Sequence, residues 1–205
     1  MTVEIKRYDA PPVCEREILR YAGVRRGDAA TEALMRDCLC ELGDRLTYRV
    51  CFAELPLCVD NDWIRLSTWV FPSRDLGKNL VGCDRAVVFA ATVGMEIDRL
   101  IARYRTLSPS RSLLFQAIGS ERAEALCARF CEELAEREAH RGYAPRPRFS
   151  PGYGDLSLTT QTHIFEILDC AKHIGVSLNE SLLMSPSKSV TAIVGLAPSD
   201  RKTPE

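Results

Sequence analysis

The chain has 205 residues, of which 46% are hydrophobic and 27% are charged, and its formal net charge is −1. This composition predicts one globular domain over residues 1–205, and the nearly balanced charge argues against a broad nucleic-acid-binding surface. No apolar run is long enough to span a membrane and the first residues lack the apolar core of a signal peptide, so we expect a cytoplasmic protein.

The first half of the chain mixes helical and extended patterns. Asp28 is suited to cap a helix, because its side chain can accept a hydrogen bond from the first helical amides, and Gly23 is suited to end the helix before it. A continuous apolar run, residues 85–92, predicts a buried strand. In chain order, the predicted elements are a helix at 12–21, a helix at 28–46, strands at 45–52 and 62–71, a helix at 73–80 and a strand at 85–92.

The second half is dominated by a long helix. Ser108 is its predicted cap and Pro109 suits its first turn, while an apolar stripe that includes Leu114 and Phe130 predicts a buried face. In chain order, the predicted elements are a helix at 95–104, the long helix at 109–140, a loop at 141–157, a helix at 158–173, a strand at 189–196 and a frayed tail at 198–205. Because these elements lack clean βαβ alternation, we predict an α+β domain in which helices flank a mixed or antiparallel sheet.

The strongest functional signal lies in residues 148–155, Arg-Phe-Ser-Pro-Gly-Tyr-Gly-Asp. Pro151 stiffens the backbone and Gly152 can take a positive φ, which lets another molecule approach the main chain closely. Arg148 can grip a carboxylate with two parallel hydrogen bonds, and Tyr153 offers a flat face. These features suit an amino-acid-like ligand; the alternative is an ordinary Pro-Gly turn beside a surface arginine.

The motif Arg-x-x-Pro-Gly-Tyr at residues 148–153 is followed by a helix and by Pro-x-x-Ser-Val at 186–190. Together these features resemble the activation domain of cobalamin-dependent methionine synthase. Further matching segments are 17–23, 91–94 and 123–125, so the resemblance spans most of the chain. It is closest to the free-standing form, which accompanies synthases that lack their own activation domain.

The resemblance implies an accessory methyltransferase component that binds S-adenosylmethionine and serves the reductive remethylation of inactivated cobalamin. Cobalamin would be carried by the partner, which is a cobalamin-dependent methionine synthase or another corrinoid protein, and a flavodoxin-like or ferredoxin-like donor would supply the electron. No residue of this chain is expected to be catalytic, because the cobalt provides the nucleophile. The residues that the resemblance assigns to the ligand are Arg148, Ser150, Gly152, Tyr153 and Glu124.

Two departures from the family keep a second function open. Gly142 stands where the synthase-fused members carry an acidic residue near the ligand, and residues 199–202 lack the aromatic residue that follows their final strand. The alternative function is a docking module that binds a corrinoid protein and no longer binds S-adenosylmethionine.

Other chemistries have weaker support in the sequence. The nine cysteines form no Cys-x-x-Cys motif, which favours reduced structural thiols. A metal or redox site built from Cys127 and Cys131, with Cys38 or Cys40, stays open. The three histidines come without a Gly-x-Ser-x-Gly motif, and no phosphate-binding glycine motif occurs, so neither a nucleophilic triad nor a classical nucleotide fold is indicated.

Overall fold

The computed structural model describes residues 2–24 and 29–199. In chain order, the elements are β1 (Glu4–Tyr8), α1 (Glu15–Tyr21), α2 (Ala29–Leu42), β2 (Tyr48–Asp60), β3 (Trp63–Leu66), β4 (Trp69–Pro72), α3 (Arg74–Asn79), β5 (Arg85–Thr92), α4 (Glu96–Leu107), α5 (Pro109–His140), β6 (Tyr143–Pro145), α6 (Thr160–Leu168), α7 (Cys170–Ile174), β7 (Ser177–Leu178), β8 (Met184–Ser185) and β9 (Ser189–Pro198).

An antiparallel sheet forms the middle of the molecule. Within the described part of the chain it has seven strands in the order β4-β3-β2-β5-β9-β6, and β1 pairs with β2 outside that path. The long strand β2 pairs with β1 through residues 48–52, with β3 through 57–60 and with β5 through 49–56. The prediction of an α+β domain with helices around such a sheet is confirmed.

Each face of the sheet is covered by a separate apolar core. Along β5, Val87 and Phe89 belong to one core and Val88 and Ala90 to the other, as the alternation of side chains in a strand requires. The first core is completed by α1, α2, α4 and α5, and the second by the β3–β4 hairpin, α3, α6 and α7. The sheet is therefore the central of three layers, and it positions α5 and α6 on opposite faces.

The long helix α5 begins and ends where the sequence predicts. The five residues of its predicted apolar stripe are all buried: Leu114, Ile118, Leu126, Phe130 and Leu134. The predicted cap is wrong in one respect, because the Ser108 side chain makes no capping hydrogen bond. The Ser108 amide instead donates to the carbonyl of Tyr104 and ends α4.

Two predicted elements are each divided by a residue with positive φ. The single strand at 62–71 is a hairpin, because Ser67 (φ 56°) turns the chain between β3 and β4. The single helix at 158–173 is two helices, because Asp169 (φ 44°) separates α6 from α7. Neither residue is a glycine, so the usual sequence signal for such a turn is absent.

Other boundaries also shift. Helix α1 begins at Glu15, three positions after the predicted start at Pro12 (15 − 12), and α2 ends at Leu42. Strand β2 begins at Tyr48 and continues to Asp60, well beyond the predicted end at residue 52. The predicted loop at 141–157 contains β6, and the final strand continues to Pro198, which pairs with Tyr143.

Two predictions from the sequence concern residues that the structure does not describe. The predicted cap Asp28 and the tail residues 200–205 lie outside the described residues. None of the helices in the described ranges is both long enough and apolar enough to cross a membrane.

Candidate functional site

The loop of residues 148–155 is held in a defined shape by its own backbone. The amide and carbonyl of Phe149 pair with the carbonyl and amide of Ile193 in β9, each at 2.8 Å. Beyond this bridge, the Gly152 amide donates to the Leu156 carbonyl at 2.8 Å. Gly152 has a φ of +89°, so the predicted positive φ is confirmed.

Arg148, at the start of the loop, forms an ion pair with Glu124 of α5. Both side chains are partly exposed, so a ligand can reach the two charges. The two residues are 24 positions apart in the chain. The segment that contains Arg148 is held against β9 by the pairing of β6 and Phe149 with that strand. A guanidinium and a carboxylate in contact can bind a zwitterion. The guanidinium can pair with the carboxylate of the ligand, and the protein carboxylate can pair with the ligand's ammonium group.

These two residues line a cleft of about 800 Å³, which we call the Arg148 cleft. Ser150 and Tyr153 also line it, so four of the five residues that the resemblance assigns to the ligand lie on one surface. Gly152, the fifth, does not line the cleft; a Cβ atom at this position would meet Leu158 Cδ1 at 3.4 Å. The structure therefore groups these side chains, and their contact with a ligand stays a prediction.

The Arg148 cleft is also lined by residues that the sequence patterns did not indicate. Gln161 of α6, which is 4% exposed, donates from its side-chain amide to the carbonyl of Leu182 at 3.1 Å. The Thr191 hydroxyl of β9 donates to the Gln161 side-chain oxygen at 3.2 Å. Gln161 thus connects the central sheet to the short hairpin that contains Leu182.

That hairpin, residues 177–185, is closed by the Asn179 side chain. Its oxygen accepts hydrogen bonds from the amides of Ser181 and Leu183, both at 2.9 Å. Asparagine commonly folds its side chain onto nearby amides in this way, so Asn179 carried a local turn signal in the sequence. Its position on the wall of a cleft comes from tertiary packing, which local patterns do not encode.

Part of the lining of the cleft is apolar and exposed. Tyr153 is 70% exposed and Leu183 is 62% exposed, and Leu158 and Met184 also line the cleft. The cleft therefore combines two opposite charges, hydrogen-bonding amides and an apolar surface. This combination suits a small molecule with a zwitterionic group and a flat, poorly hydrated ring.

Among the residues that the structure describes, no histidine lines the Arg148 cleft. His163 lies beside Trp69, with ring centroids 4.8 Å apart, and the Nδ1 atom of His173 is 2.8 Å from the carbonyl oxygen of Leu168. Both side chains therefore have structural neighbours away from the cleft. Its lining residues provide no nucleophile with a neighbouring histidine base.

A second cleft, of about 810 Å³, also borders the ion pair. Within residues 2–24 and 29–199, it shares only Arg148 and Glu124 with the first cleft, and its other lining residues come mainly from α1, α5 and the segment 145–147. Gly142, which replaces an acidic residue of the family's fused members, lines neither cleft. It follows α5 with a φ of +79°, and its carbonyl accepts a hydrogen bond from Ser199 at 2.8 Å.

The cysteines give little support to the metal or redox alternative. No cluster of three or more His, Cys, Asp or Glu side chains suited to a metal ion occurs in residues 2–24 and 29–199. Burial raises the pKa of the Cys127 thiol to about 12 and that of Cys38 to about 11, so both are protonated at neutral pH. A protonated thiol is a poor nucleophile and a poor metal ligand.

Comparison with known proteins gives one family match and one similar solved fold. The family model described as "Vitamin B12 dependent methionine synthase, activation domain" matches residues 64–202. The fold is similar to that of a solved structure described as the MetH reactivation domain bound to AdoHcy, with a TM-score of 0.68 and 20% sequence identity. That match covers 100% of this chain and 81% of the other. No curated protein matches the chain.

Proposed function

Because the chain belongs to the family of activation domains of vitamin B12-dependent methionine synthases, we propose that it binds S-adenosylmethionine in the Arg148 cleft. In this proposal it is a free-standing reactivation component for a cobalamin-dependent methionine synthase or another corrinoid protein. It supports reductive remethylation of cob(II)alamin carried by that partner. The electron comes from a flavodoxin-like or ferredoxin-like donor.

The observation that carries the proposal is the contact between Arg148 and Glu124, both of which line the cleft. The carboxylate of S-adenosylmethionine matches Arg148, since a guanidinium can bind it through two parallel hydrogen bonds. The ammonium and sulfonium groups are attracted to Glu124. The ligand therefore replaces one ion pair by new ones, and neither protein charge loses its partner.

The apolar lining residues of the cleft suit the adenine ring. Tyr153 and Leu183 offer apolar surface to its faces, and the backbone around Ser150 offers polar groups to its edges. The similar solved structure is described as bound to AdoHcy, a molecule with the same carboxylate, ammonium and adenine groups. This correspondence supports the proposal for both ends of the ligand.

The residues of this chain hold and orient the ligand. Cobalamin, when the partner presents it, supplies the cobalt nucleophile that accepts the methyl group. Arg148 and Glu124 fix the amino-acid end of the ligand, and the 148–155 loop fixes the nucleoside end, so the sulfonium methyl is held in one orientation. Such positioning lowers the entropic part of the barrier without any acid or base from the chain.

The test is isothermal titration of S-adenosylmethionine into the wild-type protein and two arginine variants. Arg148→Ala removes a charge-assisted contact and is expected to weaken binding by about 2–3 kcal/mol, which is roughly 30- to 150-fold. Arg146→Ala is the matched control, because Arg146 lies two positions away, outside the Arg148 cleft, and donates to the carbonyl of Val81 at 3.1 Å. Equal weakening in both variants, or no binding to the wild type at millimolar ligand, contradicts the proposal.

One observation favours the second candidate function, a docking module that does not bind S-adenosylmethionine. Tyr153, Leu158 and Leu183 are exposed apolar side chains at the rim of the same cleft, and a protein surface could cover them. A wild-type protein that binds a corrinoid protein but shows no heat of binding with S-adenosylmethionine would support this second function over the first.

A further inference from the structure

Asp155 makes the longest-range contact of the 148–155 loop. Its carboxylate accepts hydrogen bonds from the Ser73 hydroxyl at 2.6 Å, the Arg74 amide at 2.8 Å and the Asp75 amide at 3.2 Å. These donors form the first turn of α3, about 80 positions earlier in the chain. The carboxylate thus joins the loop to a helix from the first half of the chain.

Helix α3 already has a cap of its own, so the contact with Asp155 is an addition. The Ser73 hydroxyl oxygen accepts from the Leu76 amide at 3.2 Å while its hydrogen is donated to Asp155. Together these contacts satisfy the amides of the first helical turn, which have no partners within the helix. The pKa of Asp155 is lowered, chiefly by the hydrogen bond from Ser73 and further by the amides of Arg74 and Asp75, against the opposing effect of desolvation.

Gly154 permits this contact. It has a φ of +53°, and a Cβ atom here would lie 2.7 Å from a carboxylate oxygen of Asp75. The loop therefore approaches α3 more closely than a residue with a side chain would allow. Gly154 therefore allows the loop to approach α3, and the next residue, Asp155, accepts the hydrogen bonds from α3.

Backbone hydrogen bonds connect Asp155 to the part of the loop that lines the Arg148 cleft. The Leu156 carbonyl, next to Asp155, accepts from the Gly152 amide at 2.8 Å, and the Leu156 amide donates to Tyr153 at 3.0 Å. The other end of the loop is fixed by the bridge between Phe149 and Ile193. With both ends attached, the segment that contains Ser150 and Tyr153 is ordered before any ligand arrives.

We propose that Asp155 is a positioning residue, which holds the 148–155 loop in its ligand-binding shape by bonding to the first turn of α3. This inference rests on the proposed function, and it adds a residue that lines neither cleft. The physical reason is that a loop that is ordered before the ligand binds loses less conformational entropy on binding. The expected effect of losing the contact is weaker binding without loss of any ligand contact.

The experiment compares Asp155→Ala, Asp155→Asn and the control Asp60→Ala. Asp60 is exposed on β2, bonds to the Asn61 side chain at 3.1 Å and lies outside the Arg148 cleft. Titration with S-adenosylmethionine should show about tenfold weaker binding in Asp155→Ala. Asp155→Asn keeps one acceptor oxygen and should lie between Asp155→Ala and the wild type, and Asp60→Ala should match the wild type.

Amide hydrogen exchange separates positioning from general stability. In ligand-free Asp155→Ala, exchange at Gly152 should rise about tenfold or more, while the amides of the central strand β5 keep their wild-type protection. Unchanged affinity in Asp155→Ala overturns the inference and leaves the proposed function standing. Equal acceleration at Gly152 and in β5 also overturns it, because the role is then global. Failure of the wild type to bind S-adenosylmethionine overturns the proposed function and, with it, this inference.

Discussion

The side-chain amide of Gln161 donates a 3.1 Å hydrogen bond to the main-chain carbonyl of Leu182, 21 positions later in the chain. The same side chain accepts from Thr191 in β9. A single buried amide therefore fixes the distance between the sheet and the hairpin at 177–185. The width of the Arg148 cleft depends on this contact, since Gln161, Leu182 and Thr191 all line it.

Replacing Gln161 by Ala should therefore destabilise the protein. The Thr191 hydroxyl and the Leu182 carbonyl both lose a hydrogen-bond partner, which costs about 1–3 kcal/mol of the free energy of unfolding. Urea denaturation measures this cost. Gln116→Ala is the control, because Gln116 is exposed on α5 and its substitution should change stability by no more than about 0.5 kcal/mol. An equal effect of the two substitutions would contradict the assigned role of Gln161.

Glu124→Gln tests the charge at the amino-acid end of the cleft. Glutamine keeps the shape of the side chain but removes the attraction to the ligand's ammonium and sulfonium, so S-adenosylmethionine should bind about tenfold more weakly. Titration with 5′-methylthioadenosine supplies the control, since this molecule lacks both charged groups of the amino acid. Its affinity should be the same in the two proteins; a parallel loss for both ligands would show that Glu124 acts on the shape of the cleft.

A buried ion pair in α5, between Arg122 and Glu121, contacts the N-terminal segment and makes a stronger stability prediction. Arg122 is 2% exposed and Glu121 is 4% exposed, and Arg122 also donates to the carbonyls of Pro11 and Pro12 at 2.5 and 2.7 Å. Arg122→Ala leaves a buried carboxylate without its partner, so the free energy of unfolding should fall by about 3–5 kcal/mol. Chemical denaturation would reveal the loss.

The matched control for this prediction is Arg129→Ala on the same helix. Arg129 is exposed and its nearest carboxylate, on Glu132, is 3.8 Å away, so its removal should cost less than about 1 kcal/mol. A small effect of Arg122→Ala would mean that the N-terminal segment is held mainly by its apolar contacts, such as those of Ile18.

Stability should also fall in acid, partly through Glu54. Hydrogen bonds from Arg141 at 2.7 Å and Arg85 at 3.0 Å lower the pKa of its carboxyl group below the ordinary value of 4.5, against the opposing effect of desolvation. The folded state therefore binds its proton less readily than the unfolded state. The stabilisation is complete above pH 4.5 and is lost as the pH falls through the lowered pKa.

Urea unfolding of the wild type and Glu54→Gln at several pH values measures this contribution. Glutamine cannot ionise, so the variant should be less stable than the wild type at pH 7, and the difference should shrink as the pH falls through the lowered pKa of Glu54. Parallel curves for the two proteins over the whole range would show that Glu54 does not contribute to the acid response.

Sequence patterns were sufficient where one physical rule decides the structure. The apolar run of β5 can only be buried, and Pro109 and the stripe through Leu114 define α5, so both elements have their predicted bounds. Strand β1 was not predicted, because its residues Glu4, Lys6 and Arg7 leave it without an apolar pattern. It is held at the sheet by pairing with β2 and by the ion pair between Lys6 and Glu133, both of which are long-range contacts.

Part of the candidate site could also be predicted from local sequence patterns, and part could not. The turn at Gly152 and the grouping of Arg148, Ser150 and Tyr153 follow from one short motif. Gln161 carries no local signal, since a polar residue inside a helical pattern predicts an exposed side chain. Its burial results from two partners on other elements, and such partners are known only once the fold is known.

The ion pair between Arg148 and Glu124 is a wall common to two clefts of nearly equal size, about 800 and 810 Å³. A zwitterionic ligand that pairs with both residues in one cleft withdraws both charges from the other cleft. A second charged ligand would then bind the other cleft at a different electrostatic cost, and thermodynamic linkage would make this coupling equal in both directions. The same two side chains would therefore set the affinity of both clefts.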